Sequence, residues 1–409
     1  MASSTVFSLE GMGLKLDTAE HVETHIKPLR ESSVVKETKK TLEIANLADI
    51  FTSRLLSEIP PALSSLLTAL LALPSLHTIN LSDNAFGLNT QAPLVDFLSQ
   101  HTPLRHLILN NNGLGPRAGV LIANALTSLH AKKESAKEEG KTDVPELETV
   151  VCGRNRLENG SMEAWAQTFA AHTGVKEVKM VQNGIRQEGI AHLLNEGLRH
   201  AKSLRVLDLQ DNTFTILGAR ALAGVVNGWS EIVELGVGDC LLSARGGVLV
   251  AEALGKGQNS NLETLRLQYN DIDAKGLKAF ATATKVQLHA LKRIELNGNK
   301  FSEDDTGVEE LRELLEERKD KAAEADSTFD EKKDEWGLDE LSDLEEEESD
   351  EEAGESEEEK DEEEEEEEEQ QEKAARTVKE ADEAEAENVA QEKDANVDAL
   401  ADKLSKTGL

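Results

Sequence analysis

The sequence contains little cysteine and few aromatic residues. Its 409 residues include two cysteines, three tryptophans and one tyrosine. A disulfide framework or a zinc site needs more cysteines, or closer ones, than Cys152 and Cys240 supply. Both cysteines fall on positions of an internal repeat described below, so we expect them to be core residues of a protein from a reducing compartment.

Long apolar runs are also absent. No run approaches the roughly 18 residues that a membrane-spanning helix needs. The first residues, MASSTVFSLEG, lack the apolar core of a signal peptide. We therefore expect a soluble cytoplasmic protein without a membrane span.

The common catalytic signatures are missing. The sequence has no P-loop, no G-x-S-x-G, no H-E-x-x-H and no C-x-x-C. Histidines are scattered over the repeats, where ordinary packing or surface roles are expected; His101, His106, His172, His192 and His200 are among them. The sequence predicts no self-contained catalytic centre, no cofactor and no metal site.

Basic residues are outnumbered by acidic ones, 44 to 80, which gives a net charge of −36. Between Asp339 and Glu369 there are 23 acidic residues and one lysine. Phosphate binding needs clustered lysine and arginine, so nucleic acid is not expected as a ligand. The charge favours a basic protein partner or serves solubility. A histone-binding acidic scaffold is one hypothesis that rests on this run alone.

Eight copies of one pattern lie between Leu76 and Phe301, mostly 28 to 30 residues apart. Each fits L-x-x-L-x-L-x-x-N/C-x-L, the leucine-rich-repeat template, at a length that suits a strand and a full helix. The copies are Leu76-HTINLSDNAF, Leu104-RHLILNNNGL, Leu147-ETVVCGRNRL, Val175-KEVKMVQNGI, Leu204-RVLDLQDNTF, Ile232-VELGVGDCLL, Leu262-ETLRLQYNDI and Leu291-KRIELNGNKF.

The template predicts the fold. Its apolar positions point inward from a short parallel strand, and its asparagine satisfies backbone groups at the turn that follows. One repeat cannot bury its apolar face alone, so neighbours must stack. We predict an α/β leucine-rich-repeat solenoid, a crescent of about nine strands with helices outside, similar in form to ribonuclease inhibitor, and a monomer.

Three segments follow from composition. Residues 1–41 are predicted to be an N-terminal cap with a shortened first repeat, because a strand, a turn and a helix are absent around Glu37. Residues 42–319 are predicted to be the repeat domain, with a C-terminal capping helix and with an insertion at 130–145 that is predicted to be a longer helix and a mobile loop. Residues 320–409 are predicted to be a disordered, highly acidic tail.

The informative residues are those that the template leaves free. In each unit the two residues before the asparagine are predicted to project to the concave face and its rim, where solenoids commonly bind partners. They form a polar row with strands about 4.8 Å apart. Its members include Asp83, Asn110, Asn111, Arg154, Gln182, Asp211, Asp239 and Tyr269.

Two arginine clusters accompany the row. Arg154, Arg156 and Glu158 lie around one turn, and Arg54 follows a degenerate strand. Each arginine either pairs locally with acids on neighbouring turns or meets carboxylates or phosphates of a partner.

Several strings at these positions resemble the Ran GTPase-activating protein family in its fungal form. They occupy template positions that structure alone does not fix, and a long acidic tail follows them as in that family. They are DIFTSR, SEIPPAL, LSDNAFG, NNGLGP, CGRNRLENGSM, MVQNGIR, LDLQDNTFT, DCLLSARG, LRLQYN and ELNGN.

The resemblance implies a function. Members bind Ran in its GTP form and stimulate hydrolysis in the active site of Ran, in the cytoplasm and in support of nucleocytoplasmic transport. A Ran-binding protein assists in a ternary complex. The family orders the catalytic glutamine of Ran with an asparagine that matches Asn111, while the arginine that matches Arg54 acts indirectly. The family motif G-R-N-R-L-E-N matches Arg154, Asn155, Arg156 and Glu158.

Two departures from the family pattern stand out. Leu56 replaces a lysine found in a fungal relative, and the complete repeat expected after Glu37 is missing. The alternative function is a non-catalytic leucine-rich-repeat adaptor or inhibitor, which would bind a partner without changing a turnover rate.

Overall fold

The structure is a computed structural model that describes residues 6–8, 41–51, 57–325 and 335–345. Within these residues, eleven strands form one sheet in sequence order, and neighbouring strands pair in parallel. Consecutive strands pair in one constant register, as in Thr78 opposite His106. Such an order arises when each repeat adds one strand to the edge left by the previous repeat.

Each strand is short. In chain order the strands are β1 Val6–Ser8, β2 Ile44–Asn46, β3 Thr78–Asn80, β4 His106–Ile108, β5 Thr149–Val151, β6 Glu177–Lys179, β7 Val206–Asp208, β8 Glu234–Gly236, β9 Thr264–Arg266, β10 Arg293–Glu295 and β11 Gly337–Leu338.

Helices return the chain between strands. They are α1 Ile59–Leu71, α2 Gln91–Leu98, α3 Gly115–Glu138, α4 Met162–Ala171, α5 Gln187–His192, α6 Thr215–Val225, α7 Ser243–Leu254, α8 Ala274–Val286 and α9 Thr306–Ala325. Short 3-10 or π turns extend several of them. None of the helices in the described ranges is long and apolar enough to span a membrane.

The core lies between the sheet and the helices. The middle residue of each repeat strand points into it, as Ile79, Leu107 and Val150 do with no exposed surface. Cys152 and Cys240 are buried as well, which confirms their predicted place in the core. The predicted leucine-rich-repeat solenoid is confirmed.

The template asparagines form a continuous ladder along the turns. Asn112 is typical: its Nδ2 donates to the carbonyls of Leu81 and Leu109, both at 3.0 Å, and its Oδ1 accepts from the backbone N–H of Asn84 at 3.0 Å. Each asparagine thus joins its own turn to the preceding one. Cys240 interrupts the series, because a thiol offers no carbonyl oxygen.

The insertion extends α3 to 24 residues and is fixed to the repeats by a buried lysine. The Nζ atom of Lys133 donates to the carbonyls of Thr102, Leu104 and Pro145 at 2.8, 2.7 and 2.6 Å. Burial lowers the pKa of Lys133 to about 8. The longer helix predicted here is confirmed, whereas the buried lysine was not anticipated from this polar stretch.

The C-terminal end of the solenoid differs from the prediction. The capping helix α9 begins at Thr306 and continues to Ala325, with Val308, Leu311 and Leu315 buried. Residues 335–345 then return to the sheet and add β11, next to β10. The nine strands β2 to β10 match the predicted number of repeat strands, and β1 and β11 add one strand at each end among the described residues.

The predicted division at residues 41 and 319 stays a prediction. The shortened first repeat near Glu37, the arginine at position 54, the leucine at position 56 and the acidic run from residue 346 all lie outside the described residues.

Candidate functional site

The residues just before the asparagine position of the template share an unusual backbone conformation, including the units in which Ile50 or Cys240 takes that position. All of them have φ between 52° and 69°, in the left-handed region, namely Asp49, Asp83, Asn111, Arg154, Gln182, Asp211, Asp239, Tyr269 and Gly298. This conformation costs a residue with a side chain about 1–2 kcal/mol, less for Asn and Asp, which visit it routinely. We call these nine residues the turn row.

Backbone hydrogen bonds hold the turn row in place. The N–H of Asp83 donates to the carbonyl of Asn110 at 2.9 Å, and the N–H of Asn111 donates to that of Gly153 at 2.9 Å. The same bond recurs in the following units, so the sheet ladder continues past the ends of the strands. The turn row is therefore a rigid line of side chains rather than a set of separate loops.

Adjacent asparagines in one turn point in opposite directions. Asn112 is buried and belongs to the ladder, whereas Asn111 is exposed. The Nδ2 of Asn111 donates to Oδ1 of Asp83 in the neighbouring turn at 2.8 Å. That contact fixes the plane of the exposed amide, because one of its N–H groups is committed. The Oδ1 atom and the second N–H remain available for a partner.

Asn110 has a different environment from Asn111. It is half-buried, and its Oδ1 accepts the backbone N–H of Gly153 at 2.7 Å. A Cβ atom on Gly153 would meet this oxygen at 3.2 Å and the carbonyl of Val181 at 3.0 Å, so a larger residue there would press against both neighbours. The structure thus uses the amide oxygen of Asn110 in the scaffold, and its predicted contact with a partner stays a prediction.

The turn after β5 displays two arginines. Arg154 and Arg156 have φ of 55° and 54° and are exposed, while Asn155 and Leu157 between and after them are buried. In the described part of the chain neither guanidinium has a hydrogen bond or ion pair, so local pairing with acids does not account for them. Glu158, at φ 50°, is half-buried and has interactions of its own.

The remaining predicted positions follow along the turn row. Gln182 and Asp239 are exposed and Asp211 is half-buried. Tyr269 is 44% exposed, and its hydroxyl donates to Oδ2 of Asp343 at 2.8 Å. The structure therefore brings all the described candidates onto one edge of the sheet, but one end of that edge is already in contact with the chain itself.

Sequence reasoning missed the outward-facing strand residues. Arg266 lies between Glu234 and Glu295, at 2.5 and 3.5 Å, and Arg293 also contacts Glu295 at 3.4 Å. These charges neutralise one another across β8, β9 and β10. The period-two alternation of polar and apolar residues in each strand was the available signal.

The side chains of the site are suited to orienting groups of a bound partner. No group of histidine, cysteine or acidic side chains in the described ranges is arranged to hold a metal ion. Burial raises the pKa of the Cys152 thiol to about 12, which removes it as a nucleophile. Burial also lowers the pKa of His101 and of His172 to about 4, and both imidazoles bond to backbone carbonyls. The turn row offers a partner oriented amides, carboxylates and the guanidinium of Arg154, and Arg156 lies beside it; neither arginine has an ion pair among the described residues.

The chain is similar to a known repeat family and to several known proteins. A model of the Leucine Rich repeat family matches residues 200–223 and 258–281. Ran GTPase-activating protein 1 of Saccharomyces cerevisiae is 36% identical over 341 residues, which cover 76% of this chain and 82% of the yeast protein. Ran GTPase-activating protein 1 of Xenopus laevis is 37% identical over 202 residues, 44% of this chain and 34% of the frog protein.

A more distant relative shares the repeat. The ribonuclease inhibitor of Sus scrofa is 23% identical over 277 residues, which cover 61% of this chain and 57% of the inhibitor. The yeast protein is similar over most of both chains. The chain therefore belongs to the Ran GTPase-activating protein family.

Proposed function

We propose that the chain binds Ran in its GTP form and stimulates hydrolysis of the bound GTP, in support of nucleocytoplasmic transport. Four further relatives in frog, fly, worm and plant carry the name of the same activity, which supports this function over that of a non-catalytic adaptor. The reaction takes place in the active site of Ran, so the chain itself supplies no complete catalytic centre. The cytoplasm is the proposed place of action.

The observation that carries the proposal is the exposed amide of Asn111, held by Asp83 on a rigid backbone. Hydrolysis of GTP by a GTPase needs an oriented water and charge stabilisation more than covalent chemistry. A glutamine amide in the partner both donates and accepts, and an asparagine amide can meet it with one bond of each kind. Asn111 therefore acts by orienting the glutamine that positions the attacking water.

Asp83 is a positioning residue in this mechanism. Its carboxylate fixes one N–H of Asn111, which leaves the Oδ1 atom turned toward a partner. Since catalysis depends on geometry at the scale of about 1 Å, a freely rotating amide would be much less effective. The arginines Arg154 and Arg156 serve affinity, because they are exposed, unpaired within the described residues and close to the same edge.

The decisive experiment uses purified Ran loaded with GTP and a small fraction of a molar equivalent of this protein. Release of phosphate should proceed to completion many times faster than without the protein, because one activator serves many Ran molecules. An adaptor or inhibitor would bind Ran and leave the rate unchanged, and that result would refute the proposal.

A matched pair of variants tests the role of Asp83. Asp83→Gly, which removes the acceptor and suits the left-handed backbone, should lower the stimulated rate at saturating protein and change the affinity for GTP-loaded Ran much less, since the contact acts on orientation. Ala85→Gly, at an exposed position with φ 52° two residues away, is the control and should retain the full rate. Equal loss of affinity and rate in Asp83→Gly would show that Asp83 contacts Ran directly.

A further inference from the structure

Residues 335–345 lie along the last repeat as an extended acidic segment, which we call the strap. Its two strand residues pair in parallel with β10: the N–H of Gly337 donates to the carbonyl of Lys292 at 2.7 Å, and Nη1 of Arg293 donates to that of Leu338 at 3.1 Å. Leu341 is 8% exposed and is the buried apolar anchor of the strap.

A carboxylate of the strap takes the place of a strand carbonyl. Asp339 accepts the backbone N–H of Leu296 through Oδ1 at 2.8 Å and that of Asn297 through Oδ2 at 2.9 Å. In the preceding repeat, the N–H of Leu267 donates to a backbone carbonyl of the next strand, that of Glu295. At the edge of β10, an aspartate carboxylate thus accepts the N–H of Leu296, which a backbone carbonyl of the next strand would accept in the regular repeats.

A second aspartate of the strap binds the end of the turn row. Oδ2 of Asp343 accepts from the hydroxyl of Tyr269 at 2.8 Å and from Nδ2 of Asn297 at 3.2 Å. The backbone N–H of Asp343 donates to Oδ1 of Asn297 at 2.9 Å. The side chain of Asn297 therefore hydrogen-bonds to both the backbone and the carboxylate of Asp343.

These contacts have the form of strand addition at a sheet edge. Main-chain bonds at the edge hold an extended peptide, and side-chain contacts select its sequence. Here the selected features are aspartates four residues apart and a leucine between them. The strap is held by buried Leu341, by Leu338 and Leu344 packed partly buried against the core, and by polar contacts at the surface. A short edge segment with so few buried groups can open locally without unfolding the core.

We propose that the edge of β10, with Tyr269 and Asn297, is a binding groove for an extended acidic peptide. The strap occupies the groove in cis, and a partner peptide of the same chemistry binds there by displacing it. The groove is separate from Asn111 and Asp83, so this proposal does not depend on the proposed activity toward Ran.

The test uses the full-length chain and a labelled synthetic peptide with the sequence of residues 335–345. The strap competes at the high effective concentration of a tethered ligand, so the wild-type chain should bind the peptide weakly. In the Asp339→Ala chain the strap is weakened, and the peptide should bind at least about tenfold more tightly. A peptide that carries the same Asp339→Ala change should bind neither chain. Failure of the wild-type peptide to bind the Asp339→Ala chain, or equal binding of both peptides, would overturn the proposal.

The single tyrosine of the chain gives a second readout. The hydrogen bond to Asp343 raises the pKa of Tyr269 above its ordinary value, and ultraviolet titration sees no other tyrosine. Asp343→Asn, which keeps the size of the side chain, should lower the pKa of Tyr269, and the wild-type peptide added in trans should raise it again. An unchanged Tyr269 pKa in Asp343→Asn would show that the strap does not occupy the groove in solution, and the proposal would fall. Circular dichroism of both variants should match the wild-type spectrum.

Discussion

The asparagine ladder makes a quantitative prediction about stability, because its members differ in how many backbone N–H groups they satisfy. The Oδ1 atom of Asn112 accepts one, from Asn84 at 3.0 Å. The Oδ1 atom of Asn212 accepts two, from Asn183 and Ile185, both at 3.1 Å. Their Nδ2 atoms donate to equivalent carbonyls, so the two residues form a matched pair.

The carbonyls are not the main cost of losing either residue. Leu81 illustrates this, because its carbonyl accepts from Nδ2 of both Asn84 and Asn112 and would keep one partner. The N–H groups lose the acceptor that the asparagine oxygen provides. A buried group left unpaired costs about 1–3 kcal/mol. We therefore expect Asn112→Ala to lower the free energy of unfolding by about 1–3 kcal/mol, and Asn212→Ala by about 2–6 kcal/mol, from two such groups.

Equilibrium unfolding in urea measures both values. Far-ultraviolet circular dichroism and tryptophan fluorescence should give coincident transitions, because a repeat array can otherwise unfold in parts. The reasoning would be refuted if the two variants lost the same stability within about 0.5 kcal/mol, the scatter expected for unrelated surface changes.

Two further predictions concern charge. Arg154→Gly and Arg156→Gly should each weaken the affinity for GTP-loaded Ran and leave the hydrolysis rate at saturation unchanged; glycine is chosen because both positions have a left-handed backbone. Titration of Ran with each variant at two salt concentrations measures the affinity. A loss of hydrolysis rate without a loss of affinity would contradict this prediction. The neutral imidazoles of His101 and His172 have pKa values depressed to about 4, so the unfolded chain takes up protons first as the pH falls below about 6.5. The free energy of unfolding should therefore be highest above about pH 6.5 and fall as the pH drops toward 4, by up to about 3 kcal/mol for each histidine. A double variant with asparagine at both positions should show a smaller fall in urea midpoint between pH 7 and pH 4.5, and an identical fall would contradict the assignment.

Much of the fold follows from the sequence because its signal is repeated. Eight copies of one template fix the strands, the inward residues and the asparagine ladder, and Pro60 and Pro61 place the start of α1 within the first helical turn. The outward direction of Asn111 also follows, because the buried Asn112 comes next in the template. These features depend on local pattern and on neighbours of known spacing.

The features that the sequence did not predict involve contacts between distant or single residues. The left-handed conformation of the turn row had a signal in the recurrence of Asp, Asn and Gly at one template position, as at Asp83, Asn111 and Gly298. The contact between Asp83 and Asn111 joins residues 28 apart through two side chains that the template leaves free. No periodic pattern carries such a contact.

The strap escaped prediction for a different reason. Residues 335–345 begin a strongly acidic stretch, and composition favours disorder there. The order comes from a few specific contacts: Asp339 on two N–H groups, Leu341 in the core and Asp343 on Tyr269. Amino-acid composition averaged over a stretch of sequence cannot detect three residues that each contact a specific partner.

The central claim is that the amide of Asn111 accelerates hydrolysis in the active site of Ran. Asn111 has φ 53°, and alanine in that conformation adds strain of about 1 kcal/mol, so Asn111→Gly removes the amide more cleanly. The direct measurement is single-turnover hydrolysis of Ran-bound GTP at saturating Asn111→Gly protein, beside the wild type. We expect a rate on the order of 100-fold lower, the cost of misplacing a catalytic group by about 1 Å, with binding of a non-hydrolysable GTP form of Ran largely retained. Hydrolysis at the wild-type rate under saturation would contradict the asparagine mechanism and make Arg154 or the arginine at position 54 the better candidate.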